Sequence, residues 1–310
     1  MKEFASADYI AVKGGGFVHS YGSNTDSYLM YYSLFHIRLA CAMGKKVVFM
    51  PNSFGPLINK SARSQALKVL KKCNVIFTRE SISHNFLLSQ GIKNSLTLDL
   101  GFYLEKKETN CFAFDKTKKY VAITVRPYRF PGDKDGKRKF ENYLEAFVDF
   151  AKYLKRNHFE PIFVDHTLSE NYHESDIECI KTITSKLDKD SFTIISNKDL
   201  SCRELKYLYS KMFATVGTRF HSVIFSISSM VPSIAVTYGG NKGQGIMKDL
   251  GLCDYSIDMG NCSSEQLISM FETLQNSYSQ YLNKLSELSD SKEENRKQLI
   301  NTLCNMDCFK

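Results

Sequence analysis

A chain of 310 residues with 43% hydrophobic and 24% charged residues has room for two domains of ordinary size, and it lies outside the disordered, collagen-like and membrane-spanning ranges of composition. No apolar run approaches the roughly 20 residues needed to cross a bilayer. The opening MKEFASADYIAVKGGG also lacks the zones of a secretory leader, so a cytoplasmic location is expected. The formal net charge of +8 favours phosphorylated substrates or anionic lipid head groups over nucleic acid, for which no recognition motif is present.

Along the first hundred residues, the apolar runs YIAV (9–12), VVFM (47–50), VIFT (75–78) and LTLDL (96–100) alternate with helical patterns near 25–43 and 61–73 and a shorter one closed by Gly91. That alternation predicts a parallel α/β lobe. Gly14, Gly15 and Gly16 follow the first strand, where such a run permits a sharp turn or a close backbone approach to a ligand. The run is neither GxGxxG nor a phosphate-binding P-loop. His19 and Asn24 lie just beyond it and Arg79 ends the third strand, so Gly15, Gly16, His19, Asn24 and Arg79 are candidates for lining a substrate cleft. For Arg79 a structural ion pair is an equal reading. Asp99 inside LTLDLGF is costly unless it is hydrogen-bonded.

The polar stretch 106–119 reads as a linker. Beyond it come YVAITV (120–125), PIFV (161–164), FTIIS (192–196), FATVG (213–217), SIAVT (233–237) and YSIDM (255–259), with helices between them, as in a doubly wound domain. The tail from Ser263 to about Leu303 is helical and charged. Expected boundaries are therefore 1–110 for an N-terminal lobe, 111–275 for a C-terminal lobe and 276–310 for a helical segment bracing the two. The nine cysteines, Cys308 among them, form no CxxC pair, so neither a disulfide framework nor a metal site is expected.

Ligands of an open parallel sheet bind beyond the carboxyl ends of its strands. In the second lobe those ends offer Arg126 after YVAITV, the Thr218, Arg219 and His221 of GTRFHS after FATVG, and Tyr238 and Lys242 after SIAVT. A guanidinium fork suits phosphate and carboxylate, and an imidazole titrates near neutrality. An R-x-H at a strand-to-helix turn is weak when taken alone. Cations at neighbouring strand ends strengthen it, because such a cluster is hard to stabilise without an anion.

These blocks resemble one family. VGTRFHSVIFSISSMVPSIAVTYGGNKGQGIMKDLGL (216–252) is similar to the C-terminal signature of the polysaccharide pyruvyl transferases, and GGGF (14–17), FTRESISHNFL (77–87), LDLGF (98–102) and VAITVRP (121–127) resemble its other blocks in order. The resemblance implies two Rossmann-like doubly wound lobes in a glycosyltransferase-B-like arrangement. Members generally begin with a further strand and a Gly-Asn-x-Gly-Asp type loop, so the first βα unit is expected to be missing here, which bears on acceptor binding.

The resemblance further implies transfer of pyruvate from phosphoenolpyruvate to two hydroxyls of a sugar as a ketal, with release of phosphate. Arg126 and Arg219 would hold the donor and His221 would act as general acid, or as acid and base in turn, with Lys242 and Tyr238 on phosphate or in cleft closure. Phosphoenolpyruvate is then a co-substrate, and no cofactor or metal is required. The acceptor would be a polysaccharide or its polyprenyl-diphosphate-linked precursor, with peripheral contact at the inner membrane face. A nucleotide-sugar glycosyltransferase of the same architecture and a non-catalytic shortened homologue are the alternatives. The former usually needs a carboxylate for the ribose, and none stands out between 216 and 245.

Overall fold

The protein is described from a computed structural model, which covers residues 2–169 and 174–305. Two compact units are present. The first comprises residues 1–100, 239–249 and 290–310, and the second comprises 101–238 and 250–289. Residues 306–310, Cys308 among them, lie outside the described residues.

The first unit is built on a parallel five-stranded sheet of β1 (Tyr9–Val12), β2 (Gly15–Ser20), β3 (Lys46–Leu57), β4 (Val75–Thr78) and β5 (Ser95–Leu96). The strand β3 is its spine. Most of its twelve residues are buried, and β1 and then β2 pair with successive parts of it. Helices α2 (Asp26–Ser33), α3 (Phe35–Ala42), α4 (Lys60–Leu70) and α5 (Ser81–Ser89) cover the sheet, with the short α1 (Lys2–Ser6) at the start. Met30, Leu34, Ile37, Ala40, Ala62, Ala66 and Val69 meet Val47, Phe49 and Phe54 in its core.

Helix starts follow local chemistry. Asn59 caps α4 by accepting from the Ala62 N–H, and Glu80 caps α5 by accepting from the Ser83 N–H. Gly44 and Gly91, both at positive φ, follow α3 and α5, as the left-handed position after a helix end favours glycine.

The second unit holds a six-stranded parallel sheet of β6 (Lys119–Thr124), β7 (Phe159–Asp165), β8 (Thr193–Ser196), β9 (Ala214–Gly217), β10 (Ser233–Thr237) and β11 (Ser256–Asp258). Its order is β11-β10-β9-β6-β7-β8. Counted from β6, this is the 3-2-1-4-5-6 order of a doubly wound sheet. The four inner strands β7, β6, β9 and β10 are almost wholly buried apolar runs, as expected of a parallel sheet covered on both faces.

The helices of this unit are α6 (Gly136–Arg156), α7 (Asp176–Thr184), α8 (Cys202–Tyr209), α9 (Phe220–Ile227) and α11 (Ser264–Asn276). In α6 the stripe Tyr143, Phe147, Phe150, Ala151 and Leu154 is buried at helical spacing. Phe150, Phe159 and Phe213 each meet Phe271 of α11 in an aromatic cluster. A capping box of Ser201 and Glu204 starts α8.

Several expectations are corrected. The helix expected over 25–43 is two helices, with the fully buried Leu34 at the break. The tail is likewise two helices, α11 and α12 (Tyr278–Cys304), and α12 contributes to the second unit through Ser289 and to the first thereafter. The strand expected over 96–100 ends at Leu96. There the ladder closes with Thr97 N–H on the Thr78 carbonyl, and Asp99 joins an ion pair instead. The glycine run is no turn, because Gly15 and Gly16 lie inside β2. The expected boundaries at 110 and 275 also differ from the contact division, since residues 101–110 count with the second unit and 239–249, forming α10 (Lys242–Asp249), with the first.

Candidate active site at the sheet switch point

In a doubly wound sheet, the two central strands send their crossovers to opposite faces and leave a crevice between their carboxyl ends. Here those strands are β6 and β9, paired in register with Thr124 opposite Gly217. Of the sequence candidates, Arg126 follows the first strand, and Arg219 and His221 follow the second.

Buried hydroxyls hold this junction. Thr124 Oγ1 lies 2.8 Å from Ser222 Oγ and accepts from the Arg219 N–H, while Thr124 O accepts from the Thr218 N–H. Tyr143 OH lies 2.8 Å from Thr218 Oγ1 and accepts from the Arg126 N–H. Burial pushes the Tyr143 phenol well above its ordinary value, so it remains a neutral donor and acceptor. Gly217 is required by space, since a Cβ there would lie 2.5 Å from Ser222 Oγ and 2.8 Å from Val223 Cγ2. The first turn of α9 therefore sits directly against the strand end.

The two arginines are oriented differently. The Arg126 guanidinium lies over the Tyr238 ring, 4.2 Å from its centroid, and donates to the Tyr238 hydroxyl and to the Pro127 carbonyl. Arg219 is the N-cap residue of α9. Its Nε donates to Asp176 Oδ1 at 2.7 Å, and its Nη2 reaches the same carboxylate and the Glu174 carbonyl. Its side chain is 12% exposed against 0% for Asp176. His221 is exposed on the first turn of α9, its ring 6.3 Å from that of Phe225, and the helix's positive end favours an anion there.

Sequence reasoning missed two carboxylates. Asp176 at the start of α7 is fully buried, accepts from the Thr167 N–H, and is pushed up to about 6 by burial, which Arg219 opposes. Asp165, the last residue of β7, is buried with Oδ1 lacking a hydrogen-bond partner; burial raises its carboxyl, and Arg219 again opposes. An acid closing an apolar strand is a legible signal, the one that singled out Asp99.

The remaining candidates belong to the first unit. Arg79 is buried; its Nε donates to Ser53 Oγ at 2.8 Å and its Nη1 to Asp99 Oδ2 at 2.7 Å. The pair explains Asp99 and gives Arg79 a structural part. Gly16 is needed beside it, because a Cβ would stand 3.0 Å from Arg79 Nη2, and Gly14 packs on the Pro51 carbonyl. Gly15 pairs with Asn52 in the ladder. His19 Nδ1 bonds the Gly16 carbonyl at 2.8 Å, and Asn24 is exposed in the loop before α2.

Lys242 starts α10 in the first unit, whereas Tyr238 ends its run in the second. Burial, then the charge of Arg79, lowers the Lys242 ammonium to about 7, with Asp99 opposing. Among the described residues, no group of three or more His, Cys, Asp or Glu could hold a metal ion. A cavity of about 650 Å³ in the second unit is lined by Asp254, Asp258 and Glu265, a poor setting for an anionic donor.

A family model described as polysaccharide pyruvyl transferase matches residues 2–240. The Amylovoran biosynthesis protein AmsJ of Erwinia amylovora is 26% identical over 87% of this chain, and the chain spans 65% of that relative's length. Among solved structures, UDP-GlcNAc 2-epimerase from Neisseria meningitidis bound to UDP-GlcNAc is similar at a TM-score of 0.63 and 15% identity, covering 96% of this chain and 76% of that one. Trehalose 6-phosphate synthase from Burkholderia multivorans follows the same fold at a TM-score of 0.53 and 11% identity, over 96% and 69% of the two chains. These likenesses establish a glycosyltransferase-B-like fold of two parallel-sheet α/β units.

Proposed function

Because the chain belongs to the polysaccharide pyruvyl transferase family, we propose that it moves the pyruvyl group of phosphoenolpyruvate onto two hydroxyls of one sugar in a polysaccharide or its lipid-linked precursor. The observation that carries this reading is the switch point itself, where Arg126, Arg219 and His221 stand at the ends of the two central strands. Similarity to a protein of amylovoran biosynthesis supports an exopolysaccharide acceptor.

Arg126 and Arg219 each offer a planar fork, suited to paired hydrogen bonds with the donor's carboxylate and phosphate. His221 as imidazolium protonates the methylene carbon of the enol, and the cation left at C2 takes one sugar hydroxyl. The C2–O bond to phosphate then breaks. The second hydroxyl closes the ring, both hydroxyl protons leave through base, and phosphate departs as the hydrogen phosphate ion. General acid–base work of this kind is worth about 10²- to 10⁴-fold in rate.

Tyr238 has a positioning role, since it fixes the Arg126 guanidinium, and Asp176 does the same for Arg219. Donor protonation and cation stabilisation use side chains alone, so the reading calls for no cofactor.

The test is incubation of the chain with phosphoenolpyruvate and a panel of galactosides, mannosides and glucosides, with mass spectrometry of the acceptors. A sugar gaining one pyruvate ketal supports the reaction. Calorimetric binding of a uridine nucleotide, with none of phosphoenolpyruvate, would favour nucleotide-sugar chemistry on the same fold and sink the proposal.

A further inference from the structure

The helical layer of the first unit has an outer face that its core does not explain. Met30, Leu34 and Ile37 point inward and are buried. On the same short stretch Tyr28, Leu29, Tyr31, Tyr32 and Phe35 are exposed, Tyr28 and Tyr32 by 70% and 71% and Leu29 by 52%. The spacing of 28, 31 and 35, with 29 and 32 alongside, puts them on one side of α2 and the start of α3. Tyr31 and Phe35 are neighbours, with ring centroids 6.4 Å apart. Nearby Ile58, between β3 and α4, is 62% exposed. Single exposed apolar residues need no explanation, but a contiguous cluster marks an interaction surface.

Past Asp26, the charge carried by α2, α3 and α4 has one sign. Residues 27–79 contain no Asp or Glu. The acid just before them, Asp26, is buried and accepts from the Gly22 and Ser23 N–H groups. Meanwhile α4, which packs beside α2, exposes Lys60 and Lys68, whereas its Arg63 turns to α5, over the Phe86 ring and onto Gln90. The Arg38 guanidinium lies 5.1 Å from the centre of the Tyr31 ring and bonds Gln65 on α4.

We propose that this face docks on an anionic lipid bilayer, with the tyrosines, Leu29 and Phe35 at the head-group boundary and the α4 cations on lipid phosphates. Tyrosine favours that boundary because its ring is apolar and its hydroxyl wet. Cations beside an apolar face strengthen its binding to acidic lipid. A second copy fits poorly, since a two-fold contact of this face would set cations against cations with no carboxylate from residues 27–79 to answer them. Among the described residues no helix is long and apolar enough to cross a membrane, so the contact is peripheral. The surface is independent of the pyruvyl chemistry.

The chain contains no tryptophan, so Tyr32→Trp supplies a single tryptophan, excited apart from the tyrosines, at the centre of the face. With vesicles of phosphatidylcholine and phosphatidylglycerol, its emission shifts to the blue and the full chain co-sediments. With phosphatidylcholine alone, neither occurs. Lys60→Glu with Lys68→Glu weakens binding about tenfold or more, and so does Tyr28→Ser with Tyr32→Ser, while melting curves stay unchanged because all four side chains are exposed. Unshifted emission with no co-sedimentation would overturn the proposal. So would a concentration-dependent dimer abolished by the tyrosine substitutions, which would make the face a contact between copies.

Discussion

Each unit places an arginine–aspartate pair near the carboxyl ends of its sheet, and the two pairs differ in what remains of the guanidinium. Arg79 and Asp99 are 3% and 6% exposed as side chains, and Ser53 takes the arginine's Nε. Arg219 keeps 12% exposure while Asp176 has none, and it stands at the first turn of a helix beside an exposed histidine. Similar chemistry thus serves two ends. A pair sealed on all sides ties strands together, whereas a pair sealed only on the acid's side aims a cation outward.

The largest effect should come from breaking the sealed pair. Asp99→Ala leaves the Arg79 charge buried beside Lys242 and should cost about 3–5 kcal/mol of stability, visible as a lowered denaturant midpoint. Arg219→Ala should behave in the opposite way. Asp176, already pushed up to about 6, can take a proton when its partner goes, so the fold survives while turnover falls about 10²- to 10³-fold. A loss of stability in Arg219→Ala equal to that in Asp99→Ala would erase the distinction.

A subtler probe is Asp176→Asn, which keeps the volume and loses the charge. Its KM for phosphoenolpyruvate should rise with kcat less affected, because Arg219 is freed and misdirected rather than lost. Lysine at 219 should not restore the wild-type KM, since it lacks the planar fork.

The smallest effect concerns pH. Glu80, fully buried at the start of α5, is raised to about 7 by burial, with its Ser83 hydrogen bonds and Arg79 opposing. A carboxyl whose folded pKa lies above its unfolded value stabilises the fold while protonated, and that contribution is lost as pH rises through the folded pKa. Between about pH 4.5 and 7 the wild type should therefore lose stability that Glu80→Gln keeps, on the order of 1–3 kcal/mol. Melting curves of both proteins at pH 5 and pH 8 measure it, and parallel changes would contradict it.

Much of this was legible in the sequence. Parallel strands read as short apolar runs, so all six strands of the second unit were found, while Asp165 at the end of β7 was passed over. What was missed depended on tertiary company. Nothing local says that Gly15 and Gly16 lie in a strand packed on Arg79 and its neighbours rather than in a turn. Asp176 lies more than forty residues from Arg219, so a search for carboxylates near 216–245 passed it by. Tyr238 and Lys242 looked like one strand end, yet they fall in different units, because the chain leaves the second sheet immediately after β10.

The most direct measurement is release of phosphate from phosphoenolpyruvate in the presence of the sugar panel, comparing the wild type with His221→Ala and Arg219→Ala. Acceptor-dependent release is expected from the wild type, lost by about 10²-fold or more in both variants while both remain folded. Release that persists undiminished in both variants would contradict the site at the switch point, and a wild type that neither binds phosphoenolpyruvate nor releases phosphate would contradict the reaction.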